Sequence, residues 1–267
     1  MDWLHDSVGE LRAAYEAERR KAIPAWAAWE QLCDPRDPIY ILRHRPPSAI
    51  SNVTIIYFHG GGWIVGSPET HADITTALSL FTDCELISVD YRLAPEHVAP
   101  APVLNGVRVV ESVLTQDPNG AMPGRIILCG DSAGAAIAMA VERFAAPAIR
   151  GRILGVCSIY GGFGLLDSAS LRQWGSRKDG LDVDCVRRFW TLANVPGKIS
   201  PYSIESLAGP SDIPVYILVA GKDPLRDDSL TLAKSLKEFG RPLVIDAVES
   251  GTHGFLHEVQ NSLVANA

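Results

Sequence analysis

Arg125-Ile126-Ile127-Leu128-Cys129-Gly130-Asp131-Ser132-Ala133-Gly134-Ala135-Ala136-Ile137-Ala138-Met139-Ala140 decides the fold. Its opening residues form an apolar, strand-like run, and its closing residues form a convincing helix. Ser132 stands at the junction, inside Gly130-x-Ser132-x-Gly134. A strand that turns this sharply into a helix holds the serine hydroxyl exposed above the sheet. Gly130 and Gly134 have steric work there, since side chains would collide in the turn and where the helix meets the strand. A serine that merely caps the helix is the alternative reading.

Outward from this junction, short apolar runs alternate with helix-like stretches. Residues 39–43, 53–58, 85–90, 125–130, 153–159, 214–220 and 241–248 read as strands, several too apolar to be half-exposed. Between them, 70–82, 102–116, 132–146 and 225–239 read as helices, the second with Val103, Val107, Val110, Val113 and Leu114 along one stripe. Repeated βα units imply an α/β fold, a mostly parallel central sheet of about seven to eight strands with helices on both faces. The N-terminal stretch carries Leu11, Ala14, Tyr15, Ala22, Trp26 and Trp29 at helical spacing and is broken by Pro24, so 1–38 reads as a helical arm and part of the cap. The interval 161–200 interrupts the rhythm. Too long for a structureless loop, it reads as a small helical cap inserted between the core segments 39–160 and 201–267. Open α/β sheets bind ligands at the strand ends that such a cap would cover.

If Ser132 attacks an electrophilic carbon, a base must take its proton. His253, in the Gly-rich stretch Gly251-Thr252-His253-Gly254-Phe255 after the last strand, is the best placed of seven histidines, with His257 the fallback. The acid should follow the preceding strand, and Asp223 comes directly after Val215-Tyr216-Ile217-Leu218-Val219-Ala220-Gly221. The chain order serine, acid, histidine is the one this fold uses. Asp227 and Asp228, in the first turn of the next helix, read as dipole and capping residues. His5, His44 and His71 read as surface or non-catalytic positions, and His97 and His257 as structural or exposed. Charge developing on a carbonyl oxygen needs preplaced N–H donors. The glycine run of His59-Gly60-Gly61-Gly62-Trp63 and the residue after the serine, Ala133, supply them, with His59 shaping the loop.

Composition narrows the field. The 267 residues hold 24 Lys plus Arg against 31 Asp plus Glu, a formal charge of −7, without basic clusters, so no nucleic-acid partner is expected. Cys33, Cys84, Cys129, Cys157 and Cys185 show no C-x-x-C spacing and read as reduced thiols. No basic leader or long apolar span marks export or a membrane, so a cytoplasmic, soluble protein is expected.

With His59-Gly60-Gly61-Gly62, Tyr91-Arg92-Leu93-Ala94-Pro95-Glu96, Gly130-Asp131-Ser132-Ala133-Gly134, Asp223-Pro224-Leu225-Arg226-Asp227 and His253-Gly254-Phe255 in order, residues 40 to 260 closely resemble the hormone-sensitive-lipase-like α/β-hydrolase carboxylesterases. The resemblance implies hydrolysis of short- to medium-chain esters by Ser132, Asp223 and His253. It also implies Gly61, Gly62 and Ala133 as oxyanion donors, with no metal and no organic cofactor. Tyr91–Glu96 is then a structural turn with an Arg92/Glu96 pair. Trp63, Tyr160, Phe163, Trp174, Phe189 and Trp190 are candidate walls of the substrate pocket. The arm before His59 is short for the family, the first strand of its eight-stranded sheet has no clear place, and a partner copy in a homodimer could complete the site. An amidase or aryl-formamidase on the same scaffold is the nearest alternative, and a non-catalytic receptor a remoter one. A lipase acting on fat aggregates fits poorly, because 161–200 carries Arg172, Arg177, Lys178, Asp179, Asp182, Asp184, Arg187 and Arg188.

Overall fold

The computed structural model describes residues 1–32, 35–49, 52–115, 124–195 and 200–257; Cys33 lies outside them. Strands β1 (Ala27–Leu32), β2 (Ile39–His44), β3 (Val53–Phe58), β4 (Glu85–Asp90), β5 (Arg125–Asp131), β6 (Ile153–Ile159), β7 (Val215–Lys222) and β8 (Leu243–Thr252) form one sheet in the order β1-β2-β4-β3-β5-β6-β7-β8. From β4 to β8 every pairing is parallel, whereas β1–β2 and β2–β4 are antiparallel. The helices are α1 (Val8–Arg19), α2 (Ala72–Thr82), α3 (Ala101–Thr115), α4 (Ala133–Phe144), α5 (Pro147–Arg150), α6 (Ala169–Trp174), α7 (Val183–Leu192), α8 (Ile204–Leu207) and α9 (Arg226–Glu238).

The continuous apolar runs of β3 and β4 are buried almost throughout, as strands covered on both faces must be. β8, at the sheet edge, is largely exposed or half-exposed, because only one neighbour and α9 shield it. Helix α4 packs against β5, β6, β3 and α3 and is buried from Ala133 to Glu142. Its small residues allow that close approach: a Cβ on Gly134 would overlap the carbonyl oxygens of Phe58 and His59 on the neighbouring strand and loop. Gly134→Ala is therefore expected to destabilise the fold by about 1–3 kcal/mol through overpacking. An unchanged thermal unfolding midpoint would refute that account of the helix–strand contact.

The N-terminal region departs from the helical reading. Ser7 and Glu10 form a reciprocal capping box and start α1, but the chain leaves the helix at Arg20. Residues 27–32, expected to continue the helical arm beyond Pro24, instead form the edge strand β1, paired from Ala27↔His44 to Leu32↔Ile39. Ala, Glu, Gln and Leu favour helices locally, yet the unpaired edge of β2 offers a full ladder of backbone partners, and that tertiary gain overrides propensity. The first strand that the sequence could not place is thus β1.

Two other expectations change. His44 and His71 are buried rather than at the surface. His44 Nε2 lies 3.1 Å from Thr75 Oγ1 of α2, and burial pushes its pKa down to about 4. Arg92 and Glu96 do not pair: Arg92 bonds Asp37, while Glu96 takes a two-pronged bond from Arg12 of α1 at 2.6 and 2.9 Å. The 92–96 turn is not helical, so residues four apart do not face one another, and each finds a partner from a distant segment. Arg12 also donates to the carbonyls of Ile64 and Ala94, fastening α1 to the loops after β3 and β4.

Candidate active site

The C-terminal ends of β3, β5, β6, β7 and β8 deliver the residues singled out by sequence to one place. At the tip of β5, Ser132 adopts φ 53° and ψ −119°, a left-handed conformation that non-glycine residues avoid. Its amide bonds Ile159 O at 2.9 Å, and its side chain makes no helix-cap bond, which removes the capping alternative. The hydroxyl is free to face other chemistry.

His253, just past β8, places Nε2 2.9 Å from Ser132 Oγ and Nδ1 2.9 Å from Asp223 Oδ2. Asp223, just past β7, is fully buried and steadied by the Leu225 amide on Oδ1 at 2.7 Å. A carboxylate at Nδ1 requires the ring proton there, which leaves Nε2 to accept from the serine. Burial opposes a charge on His253, but the attraction and hydrogen bond of Asp223 prevail and raise its pKa above the ordinary histidine value. The rings of Tyr160 and His253 meet in a T-shaped contact with centroids 5.1 Å apart.

The glycine loop lies beside the serine. Gly61 and Gly62 have φ +113° and +59°, and a Cβ on Gly62 would sit 3.0 Å from the Phe189 ring. Ala133 is the first residue of α4, where helical N–H groups lack a carbonyl four residues back. Asp131 ties the glycine loop to the turn at Ser132: its Oδ1 accepts from the Gly60 amide at 2.8 Å and the Tyr57 hydroxyl at 2.7 Å. Burial opposes ionisation of Asp131, yet nearby His71 and His257 and the Tyr57 hydroxyl hold its carboxyl well below the usual range. His59 Nδ1 contacts Gly60 O at 2.7 Å and its ring stacks on Tyr91; burial pushes its pKa down to about 3, so it stays neutral while shaping the loop. Sequence reasoning missed His71, 3.7 Å from Asp131, and gave no role to Asp131 beyond family likeness. No local signal marks either, because both act through residues distant in the chain.

Ser132 opens on a cavity of about 50 Å³ lined by Gly62, Trp63, Ala133, Leu165, Phe189 and Trp190 among others. Of the aromatic candidates, Trp63, Phe189 and Trp190 are in this wall. Tyr160 lies behind His253, Phe163 lines a neighbouring cavity, and Trp174 at the end of α6 is exposed and lines neither. Leu181, Val186, Phe189 and Trp190, from the interval between β6 and β7, face Ser132 across the cavity. Asp227 and Asp228 occupy the first turn of α9 as expected, but their carboxylates reach sideways instead of capping it. Asp227 accepts from the Ser170 amide at 2.9 Å, and Asp228 from the amides of Phe163 at 2.6 Å and Leu165 at 3.2 Å. Among the described residues no group of three His, Cys, Asp or Glu is arranged to hold a metal ion, and no helix is long and apolar enough to cross a membrane.

Such a chain of hydrogen bonds can withdraw a proton from Ser132 as it attacks and return it to a leaving group. Residues 55–257 match a protein family described by the alpha/beta hydrolase fold. The carboxylic ester hydrolase LipN of Mycobacterium tuberculosis is 32% identical, over 95% of this chain and 70% of its own. An acetyl esterase of Salmonella dublin is 34% identical over 82% of this chain and 70% of its own. Among solved structures, the thermostable carboxylesterase EstE1 from a metagenomic library superposes with a TM-score of 0.84 at 25% identity, covering 98% of this chain and 93% of that one. An esterase of Pyrobaculum calidifontis gives 0.82 at 26%, covering 98% and 91%. Sequence motifs, sheet order and relatives agree: the chain belongs to the α/β-hydrolase fold family, among its hormone-sensitive-lipase-like carboxylesterases.

Proposed function

We propose that this protein is a serine carboxylesterase acting on small-molecule esters of short-chain acids, with Ser132 as nucleophile, His253 as general base then acid, and Asp223 as the residue that orients the imidazole. The observation that carries the reading is the Asp223–His253–Ser132 relay, both contacts 2.9 Å, opening on a small apolar cavity. His253 takes the Ser132 proton as Oγ attacks the acyl carbon, and the oxygen charge is met by the amides of Gly61, Gly62 and Ala133. Collapse of the tetrahedral intermediate expels the alcohol with the proton from His253 and leaves an acyl-enzyme. Water, deprotonated by the same His253, attacks that acyl group and releases the acid. Leu181, Val186, Phe189 and Trp190 then form the part of a cap that excludes bulk water from Ser132.

The size of the cavity supports a short acyl preference. Behind it lies a second cavity of about 850 Å³, and Gly164, Leu165 and Trp190 line both. A side chain on Gly164 would collide with the Trp190 ring, so indole and backbone close the partition between them. Initial rates on p-nitrophenyl esters from acetate to palmitate, with an aryl formamide alongside, test the activity. Ser132-dependent cleavage should peak at short chains; dominant formamide cleavage would make the protein a formamidase. Trp190→Ala should join the two cavities and move the optimum to longer chains, with up to roughly fourfold gained per added methylene that finds apolar contact. An unchanged chain-length profile would dismiss Trp190 as the limit.

A further inference from the structure

The cavity at Ser132 is largely apolar, its polar side-chain groups being the Ser132 hydroxyl, the indole N–H groups of Trp63 and Trp190 and the Asp228 carboxyl. Asp228 is its only carboxyl among the described lining residues, and the side chain is 1% exposed. One oxygen, Oδ1, is used by the Phe163 and Leu165 amides; the other, Oδ2, is buried with no hydrogen-bond partner. An unpaired buried acceptor is costly, and pockets of this kind place a few polar groups among apolar walls to choose their ligand. The surroundings are Trp63, Leu165, Leu181, Val186, Phe189, Trp190 and Leu225, none with an ionisable side chain. Desolvation, only partly offset by the amides of Phe163, Leu165 and Gly164 and reinforced by Asp223, raises the carboxyl to about 7, so mildly alkaline buffer leaves it a charged acceptor.

We infer, on the strength of the esterase reading, that Asp228 Oδ2 is a substrate-selecting acceptor and that the preferred esters carry a hydroxyl or other hydrogen-bond donor on the group seated beside Ser132. A hydroxyl there donates to Oδ2, whereas a methyl leaves that oxygen without a partner. Sites that hydrogen-bond a substrate hydroxyl reject the analogue lacking it far more strongly than apolar pockets reject an extra methylene. Asp228 is thereby a specificity residue, distinct from the relay that performs the chemistry.

The test compares kcat/KM for isosteric pairs in mildly alkaline buffer: ethyl lactate against ethyl isobutyrate places the donor on the acyl side, and 2-hydroxyethyl acetate against propyl acetate places it on the alcohol side. In the wild type, after division by the alkaline hydrolysis rates of the same esters, the hydroxyl member of one pair should lead by at least about tenfold, the effect of a charge-assisted hydrogen bond. Asp228→Asn can keep Oδ1 for the two amides but turns a donor toward the cavity, so that ratio should fall about tenfold. Electronic effects of the hydroxyl and any general loss of rate cancel within the ratio. Absence of a wild-type preference on both sides overturns the inference whether or not the variant folds, as does a ratio unmoved by the substitution. Turnover of ethyl isobutyrate or propyl acetate that vanishes in Ser132→Ala keeps the esterase reading intact in either case, and turnover that persists there removes it.

Discussion

Ser132→Ala should eliminate ester turnover, with kcat falling by about a million-fold, the size of loss seen when a triad nucleophile is removed. The fold should survive. Ser132 makes no cap bond through its side chain, and the bond from its amide to Ile159 O is independent of side-chain identity. Alanine and serine also bear a φ of 53° at similar cost, since both carry a Cβ. The hydroxyl removed is the one 2.9 Å from His253, and in the described site nothing else in that position can form an acyl-enzyme. A fluorophosphonate should label the wild type and not the variant. Near-wild-type turnover by a folded variant would remove Ser132 from the mechanism, and labelling elsewhere would name its replacement.

Asp223→Asn should lower kcat by about 10⁴-fold with the structure preserved. Asn can retain Oδ1 for the Leu225 amide, which then directs its NH₂ at His253 Nδ1. The imidazole must accept there and carry its proton on Nε2, so it faces Ser132 as a donor and cannot take the hydroxyl proton. The pH profile gives a second readout. Asp223 raises the His253 pKa above its ordinary value, and only the neutral ring is a base. Activity of the wild type is therefore lost as pH falls through that raised pKa, so the acid limb of kcat/KM should lie above the ordinary histidine range. Without the carboxylate the cause of the raise is gone, and the limb should move to lower pH. A neutral effect on rate, or an acid limb that stays in place, would transfer the orienting role to another carboxyl.

Legibility in the sequence followed the range of the interaction concerned. The central strands and α4 are readable because burial on both faces demands uninterrupted apolar runs, and the turn at Ser132 because only glycines fit at Gly130 and Gly134. Ser132, Asp223 and His253 could be named because βα topology fixes which strand ends meet. In sequence β1 reads as part of a helical arm, since its composition favours a helix and only the open edge of β2 makes it a strand. Arg92 and Glu96 were paired for their proximity in sequence, while Arg12 and Asp37 arrive from elsewhere.

Sequence alone determined the layered α/β architecture, the sharp strand-to-helix turn at Ser132 and the strand ends that carry Ser132, Asp223 and His253, because periodicity, steric need and connectivity are local properties of a chain. Tertiary structure alone decided that His71 and Asp131 lie under the glycine loop, that Trp190 stands between two cavities and that Asp228, with one buried oxygen unpaired, joins the lining of the cavity at Ser132. Those depend on which side chains from separate segments are packed together in a volume closed to water, where a few ångströms set whether a polar atom is satisfied.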